Sequence, residues 1–225
     1  MPNIEEVFPS VYLVDHMLST KSFAPGTRAY GERLLNVEET EYRQWDLYKS
    51  KLAGAIHKGL NELPIEPGSL VLYLGAASGT TVSHISDIVG EGGGIFAVEF
   101  AQRSMRDLFK LCENRKNILP IFADANKPEL YKEEIGDEKV DVLYQDVSQP
   151  NQAEILIKNA NAYLKEGGHA LFCIKSQSID VTQDPKKTFR IEVEKLEAKG
   201  FETIQTILLD PYDRDHMFWH GVKKN

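Results

Sequence analysis

Two lysines and an aspartate, far apart in the chain, have the types needed to draw a proton from a weak nucleophile. Asp146 follows the apolar run Val140 to Tyr144, and Lys175 follows the run His169 to Ile174. Lys51 opens a helical segment with Leu52, Ile56 and Leu60 at steps of four. A hydroxyl such as a ribose 2′-OH must lose its proton as it attacks an electrophilic carbon. A lysine made less basic by partial burial and a second lysine nearby can act as base, with a carboxylate between them fixing the geometry. Singly, each has a plainer reading: Lys175 as a lysine snorkelling at a strand end, Lys51 as a solvated one.

A second constellation points to a bound cofactor. The apolar run Leu70 to Leu74 ends in a small-residue loop of Gly75, Ala76, Ala77, Ser78, Gly79, Thr80 and Thr81. Gly75 and Gly79 permit a tight turn and close backbone approach, and the small side chains let a ligand lie flat. Such a turn alone also suits an ordinary strand-to-helix connection. Glu99 ends the next strand, 20 residues after Gly79, where a carboxylate can accept from both ribose hydroxyls. NAD and S-adenosylmethionine are both compatible with that arrangement. Two features favour S-adenosylmethionine. Ala77 stands where the dinucleotide fingerprint has its second glycine. Asp124, ending the third strand, can accept from an adenine amino group.

Placing these residues together requires a regular scaffold. From Ser50 onward helices and strands alternate. The spacing predicts helices at 50–60, 81–89, 102–112, 152–163 and 185–199, with Ser50 as N-cap of the first. It predicts strands at 70–74, 95–98, 118–122, 140–144, 169–174, 203–209 and 217–222, and a short helix around Pro128 to Tyr131. Alternation means a parallel sheet wrapped on both faces, with ligands beyond the carboxyl ends of its strands. The connection Asp210 to Asp215 is too short for a crossover, so the last two strands form an antiparallel hairpin. The expectation is an α/β protein of the class I S-adenosylmethionine-dependent methyltransferase fold, with a doubly wound, mostly parallel seven-stranded sheet. Residues 47–225 form that domain. Residues 1–46 differ, with short β-type runs such as Val11 to Val14 and turn signals at Pro9-Ser10 and Ala24 to Gly26. They read as a small antiparallel β appendage.

Composition sets the bounds. The chain has 225 residues, 42% hydrophobic and 27% charged, enough for one core of ordinary size. No run approaches the roughly 18 apolar residues of a membrane span. The start lacks a signal-peptide pattern, so a cytoplasmic protein without membrane partners is expected. Cys112 and Cys173 lie in apolar periodic segments and read as buried small hydrophobes. The net charge of −8 argues against a protein that grips nucleic acid alone.

These residues resemble one family over essentially the whole chain, the archaeal fibrillarin-like rRNA/tRNA 2′-O-methyltransferases. The resemblance is carried by Trp45 through Ala53, the loop Gly75 to Thr81, Ala97 to Phe100, Asp124-Ala125, Gln145 to Pro150, Lys175 to Asp180 and Asp210 to His216. It implies transfer of a methyl group from S-adenosylmethionine to ribose 2′-hydroxyls of rRNA and tRNA. It also implies a box C/D guide RNA, a Nop-domain scaffold protein and a kink-turn-binding protein of the ribosomal L7Ae type. Those partners would supply the affinity for RNA that an acidic chain lacks. The resemblance supports Lys51, Asp146 and Lys175 as the catalytic group, with His216 near a fourth polar position. It extends the cofactor contacts to Phe100, Ala125, Asp146, Val147, Ser148 and Gln149. Leu47 stands where the family has Pro, and Ser148 where Ala is common.

Other features have bland readings. His216 and His220 share a strand face but lack a third metal ligand, so no metal is expected. Lys186, Lys187, Arg190, Lys195 and Lys199 alternate with Glu192, Glu194 and Glu197 on one helix, which reads as a solvated face. Phe8, Tyr12, Phe23 and Tyr30 read as core. The alternatives left open are a stand-alone methyltransferase of another substrate, an NAD oxidoreductase, and a scaffold subunit that binds cofactor without turnover.

Overall fold

The structure is a computed structural model that describes residues 2–224; the outer ends of the two expected domain ranges, Met1 and Asn225, lie outside the described residues. The amino-terminal segment folds into strands β1 (Ile4–Phe8), β2 (Val11–Val14), β3 (Met17–Lys21), β4 (Leu34–Val37) and β5 (Thr40–Gln44). They pair antiparallel in the order β1-β2-β3-β5-β4. The β2–β3 hairpin turns on Asp15 and His16, both at positive φ, as a two-residue turn matching strand twist requires.

Helix α1 (Lys51–His57) follows, capped by the Ser50 side chain, which accepts from the Ala53 N–H. It stops short of the expected Leu60 because Gly59 adopts φ +91°, a helix-ending conformation. Then come β6 (Leu70–Leu74), α2 (Thr80–Val89), β7 (Gly94–Glu99), α3 (Gln102–Glu113) and β8 (Ile118–Phe122). A 3-10 helix (Pro128–Tyr131) leads into α4 (Lys132–Ile135), β9 (Val140–Gln145) and α5 (Gln152–Tyr163). The chain ends with β10 (Leu164–Lys175), α6 (Ser176–Ile179), α7 (Pro185–Glu197), β11 (Phe201–Leu208) and β12 (His216–Lys223). Strand β10 begins earlier than expected because Leu164 already pairs with Val140 of β9, ahead of an irregular stretch that ends at His169. Among the described residues no helix is long and apolar enough to cross a membrane.

The main sheet runs β11-β12-β10-β9-β6-β7-β8. β12 is antiparallel to both neighbours, while β10, β9, β6, β7 and β8 are mutually parallel. Winding proceeds outward in one direction through β7 and β8 and in the other through β9 and β10. The switch point therefore lies between β6 and β9, where such sheets open a crevice at their carboxyl ends. Both faces are covered. Along β6, Val71 and Tyr73 enter one apolar cluster and Leu72 and Leu74 the other.

The amino-terminal sheet is joined to this domain through a shared interior. Val11, Leu18 and Trp45 pack in the same cluster as α1 and α2. Arg43 is fully buried and pairs with Glu32 at 2.5 Å and with Asp87 of α2 at 2.6 Å. Arg115 takes the other Asp87 oxygen at 2.6 Å. Tyr30, read from the sequence as core, hydrogen-bonds His84 within this same region.

Candidate active site

The loop after β6 is held from both sides. Gly75 and Ala76 both donate their N–H to the Val98 carbonyl, at 2.9 and 3.0 Å. Gly75 has φ +81°, and a Cβ there would lie 2.6 Å from the Asp146 carbonyl oxygen. Only glycine lets the loop lie this close to the end of β9. Ala77 sits at φ +49°, an uncommon conformation for a residue with a Cβ. Its N–H donates to Glu99 Oε2 at 2.8 Å, while the Ala101 N–H donates to Oε1 at 2.6 Å. Each Glu99 oxygen is thereby fixed and retains a lone pair for a further donor. Asp124, just beyond β8, accepts from the Asn126 N–H at 2.9 Å.

These groups border a cleft of about 360 Å³ at the sheet's switch point, large enough for a cofactor. One side presents Gly75, Ala77, Glu99, Phe100, Asp124 and Ala125; the other presents Val147, Ser148 and Gln149. Lys51, Asp146 and Lys175 close one part of its wall. Val98, Ala123, Asn126 and Ile155 also line it; they lie in strand, loop and helix positions whose sequence reads only as apolar or turn-forming.

The three charged residues converge as their positions at element ends require. Lys175 Nζ lies 2.9 Å from Asp146 Oδ1, and Lys51 Nζ lies 3.2 Å from Oδ2. All three side chains keep under a fifth of their exposure. Burial favours a neutral Asp146, but the Lys51 and Lys175 ammoniums outweigh it and hold the carboxyl below its ordinary value. Burial likewise opposes the Lys51 charge, yet the Asp146 carboxylate, with Asp213, raises its affinity for the proton above that of a free lysine. The expectation that a lysine of this group is made less basic is thus not met at Lys51. Two carboxylates surround it, and the second lysine lies across Asp146. Ser148, where the family resemblance led us to expect Ala, places its Oγ 2.8 Å from Lys175 Nζ.

Asp213 is the residue that sequence reasoning missed. Its Oδ2 lies 3.2 Å from Lys51 Nζ and its Oδ1 2.9 Å from His216 Nδ1. His216 therefore reaches the cluster through Asp213, and its ring borders a different depression beside the start of α7. The motif Asp210 to His216 signalled the region. The turn geometry that selects Asp213 from its three aspartates is a tertiary property.

Five loop residues stand apart from the cleft. Ala76 is buried beneath the loop. Ser78 faces a separate groove with Arg28 and Lys110. Gly79, at φ +92°, is the N-cap of α2, and a Cβ there would strike Leu111. Thr80 begins α2, and the Thr81 hydroxyl donates to Ser50 Oγ at 3.0 Å, tying α2 to the cap of α1. The first turn of α2 thus does not line the cleft. A dinucleotide's pyrophosphate would sit on that turn, so the cleft suits a nucleoside ligand without phosphate. His220 is buried against His169 at 2.9 Å. Among the described residues no three His, Cys, Asp or Glu side chains are grouped to hold a metal.

The Fibrillarin family model matches residues 2–225. The chain belongs to the fibrillarin family. A fibrillarin-like rRNA/tRNA 2′-O-methyltransferase of Methanococcus voltae is 49% identical to this family member over 227 residues, 99% of this chain and 98% of the relative. Aeropyrum pernix fibrillarin, solved with natively bound S-adenosyl-L-methionine, is similar with a TM-score of 0.88 at 45% identity, covering 99% of this chain and all of that one. Fibrillarin from a fibrillarin/Nop5p complex gives a TM-score of 0.89 at 41% identity, covering 98% and 100%. The fold is that of S-adenosylmethionine-dependent methyltransferases, as expected.

Proposed function

We propose that this fibrillarin-family chain is a cytoplasmic S-adenosylmethionine-dependent 2′-O-methyltransferase acting on rRNA and tRNA. A box C/D guide RNA selects the nucleotide, within a particle that also holds a Nop-domain scaffold and an L7Ae-type protein. The observation that carries the reading is the Lys51–Asp146–Lys175 cluster set into the wall of the cofactor cleft. The relatives named above support the acceptor and the scaffold partner. Residues 47–225 carry the chemistry.

In the cleft, Glu99 takes the cofactor's ribose hydroxyls and Asp124 its adenine amino group. The apolar surfaces of Ala77, Val98, Val147 and Ile155 cover the remainder. When bound, the cofactor supplies a methyl group activated by a sulfonium. The protein's task is to orient a hydroxyl in line with that methyl and to receive its proton. Proximity alone can supply a large part of the rate. Asp146, ionised and gripped by two ammoniums, accepts the hydroxyl's hydrogen bond and then its proton as the oxygen attacks. The ammonium of Lys51 holds the oxygen's other side. Lys175 and Ser148 keep Asp146 at the rim. The test is transfer of labelled methyl to a guided RNA in a reconstituted particle, followed by mapping of the modified nucleotide. A 2′-O-methyl group at the guided position is expected, with little product from the chain alone. Methyl on a base would contradict the reading.

A further inference from the structure

The end of β10 carries Lys175 to the cluster, yet β9 does not accompany it that far. The β9–β10 register ends where Phe172 faces Gln145. From Asp146 the chain turns into the loop that walls the cleft with Val147, Ser148 and Gln149. The Asp146 N–H still donates to the Leu74 carbonyl of β6, at 2.9 Å. On its other side β10 stays paired with β12 as far as Lys175, which faces His216. There the Ser176 N–H donates to the Asp215 carbonyl at 3.2 Å. The N–H and carbonyl of Lys175 itself point the opposite way, toward the side where β9 has ended. Both groups need partners away from water.

Gln152, the first residue of α5, supplies both. Its Oε1 accepts from the Lys175 N–H at 3.0 Å, and its Nε2 donates to the Lys175 carbonyl at 3.1 Å. A primary amide carries an acceptor and a donor side by side, the same pair that a neighbouring strand would offer. Gln152 is itself held in place. Its own carbonyl accepts from Gln145 Nε2 at 2.8 Å. The next N–H, that of Ala153, donates to the Glu192 carboxylate of α7 at 2.9 Å. Gln145, Gln152 and Glu192 are all buried, outside the wall of the cleft. The consequence falls on the cluster. β9 brings the Asp146 carboxylate and β10 the Lys175 ammonium, which meet at 2.9 Å. Without the Gln152 amide, the end of β10 past Phe172 would be tied to β12 alone.

We propose that Gln152 is a positioning residue for methyl transfer: its side-chain amide stands in for a strand beside Lys175 and so fixes the Lys175 ammonium on Asp146. The inference rests on the function proposed above. It gives Gln152 a role in the rate of transfer and none in the binding of cofactor or RNA.

The test is a double-mutant cycle in the reconstituted guided particle with S-adenosylmethionine. Gln152→Met keeps the length of the side chain and removes the amide. It should lower the single-turnover rate at saturating RNA about tenfold, within the range that a misplacement of about 1 Å produces. The KM for RNA and the cofactor affinity measured by calorimetry should be unchanged. In a Lys175→Ala background the same substitution should cost less than about twofold, because the group it positions is gone. Gln152→Asn keeps an amide but is a methylene short of Lys175. It should show the same pattern with a smaller loss, and it takes the place of Gln152→Met in the cycle if that variant does not assemble. A wild-type rate in both Gln152 variants overturns the proposal. So does a loss that recurs in full in the Lys175→Ala background, which would mean a general loosening of the fold. A defect confined to cofactor affinity overturns it as well. In each of those cases wild-type particle still methylates the guided ribose, so the parent reading stands. Wild-type particle that leaves the ribose unmethylated overturns both.

Discussion

At the scale of single residues, the site works by charge placement. Asp146 has an ammonium on each oxygen, and Lys51 a carboxylate on each side. A residue so surrounded keeps its proton across the ordinary working range, so Lys51 serves as a fixed cation and hydrogen-bond donor. The sequence conveyed which residues meet and where, because Asp146 and Lys175 each end a strand. It could not convey the direction of the Lys51 shift, which depends on Asp213 arriving from a hairpin turn more than 150 residues away. Ser148 stands where the resemblance makes Ala the common residue. Its hydroxyl is the second acceptor at Lys175, after Asp146. Ser148→Ala should cost the contact less than about 1 kcal/mol and leave kcat within about fivefold of wild type, because the Asp146 ion pair persists. Steady-state kinetics on guided RNA measure this.

At the scale of elements, the loop after β6 matters most. Its glycine is required by contact as much as by backbone. Gly75→Ala puts a Cβ into the Asp146 carbonyl and forces a left-handed φ on alanine. The expected cost is about 2 kcal/mol or more, seen as a lower Tm, together with loss of cofactor affinity in calorimetry. Gly26, also at positive φ but with open space around it, is the control. Gly26→Ala should cost only about 1 kcal/mol and leave cofactor binding intact. The sheet itself was legible in the sequence because parallel strands buried on both faces read as continuous apolar runs, such as Leu70 to Leu74. The antiparallel hairpin was legible from the short Asp210 to Asp215 link. The inward or outward aim of each loop residue was not, since Gly75 to Thr81 are uniformly small. Only tertiary packing separates Gly75 and Ala77, which line the cleft, from Ser78, which faces another groove, and Thr81, which caps into α1.

At the scale of the whole molecule, the amino-terminal sheet is fixed to the catalytic domain by buried charge. Asp87 receives Arg43 on one oxygen and Arg115 on the other. Thr20 also donates to it, at 2.6 Å. Asp87→Ala would leave Arg115 without its carboxylate and Arg43 with Glu32 alone, and should destabilise the fold by about 3–5 kcal/mol, measured by urea denaturation. The same interface makes stability depend on pH. His84 is fully buried, and that burial, reinforced by Arg43 and Arg115, holds it well below the ordinary histidine value. Burial beside His169 lowers His220 to about 4. In both cases the unfolded chain binds more protons than the folded one in mild acid. The stabilisation is complete above about pH 6.5 and falls as the pH drops, by up to about 1.4 kcal/mol per pH unit for each histidine. Denaturation midpoints at pH 7 and pH 5 should therefore differ, with the protein weaker at pH 5. A flat profile would mean that neither ring is kept neutral.

The central claim joins all three scales: a cluster built by three distant residues, positioned by strand ends and a capped helix, directs methyl transfer to a ribose hydroxyl. The most direct measurement is labelled methyl transfer to a guided RNA by particles carrying Asp146→Ala or Lys175→Ala, with S-adenosylmethionine binding followed in parallel by calorimetry. The account predicts that wild-type particle places the label on the 2′-oxygen of the guided nucleotide, and that each variant still binds cofactor but loses transfer by about a hundredfold or more. Full activity in either variant would contradict it.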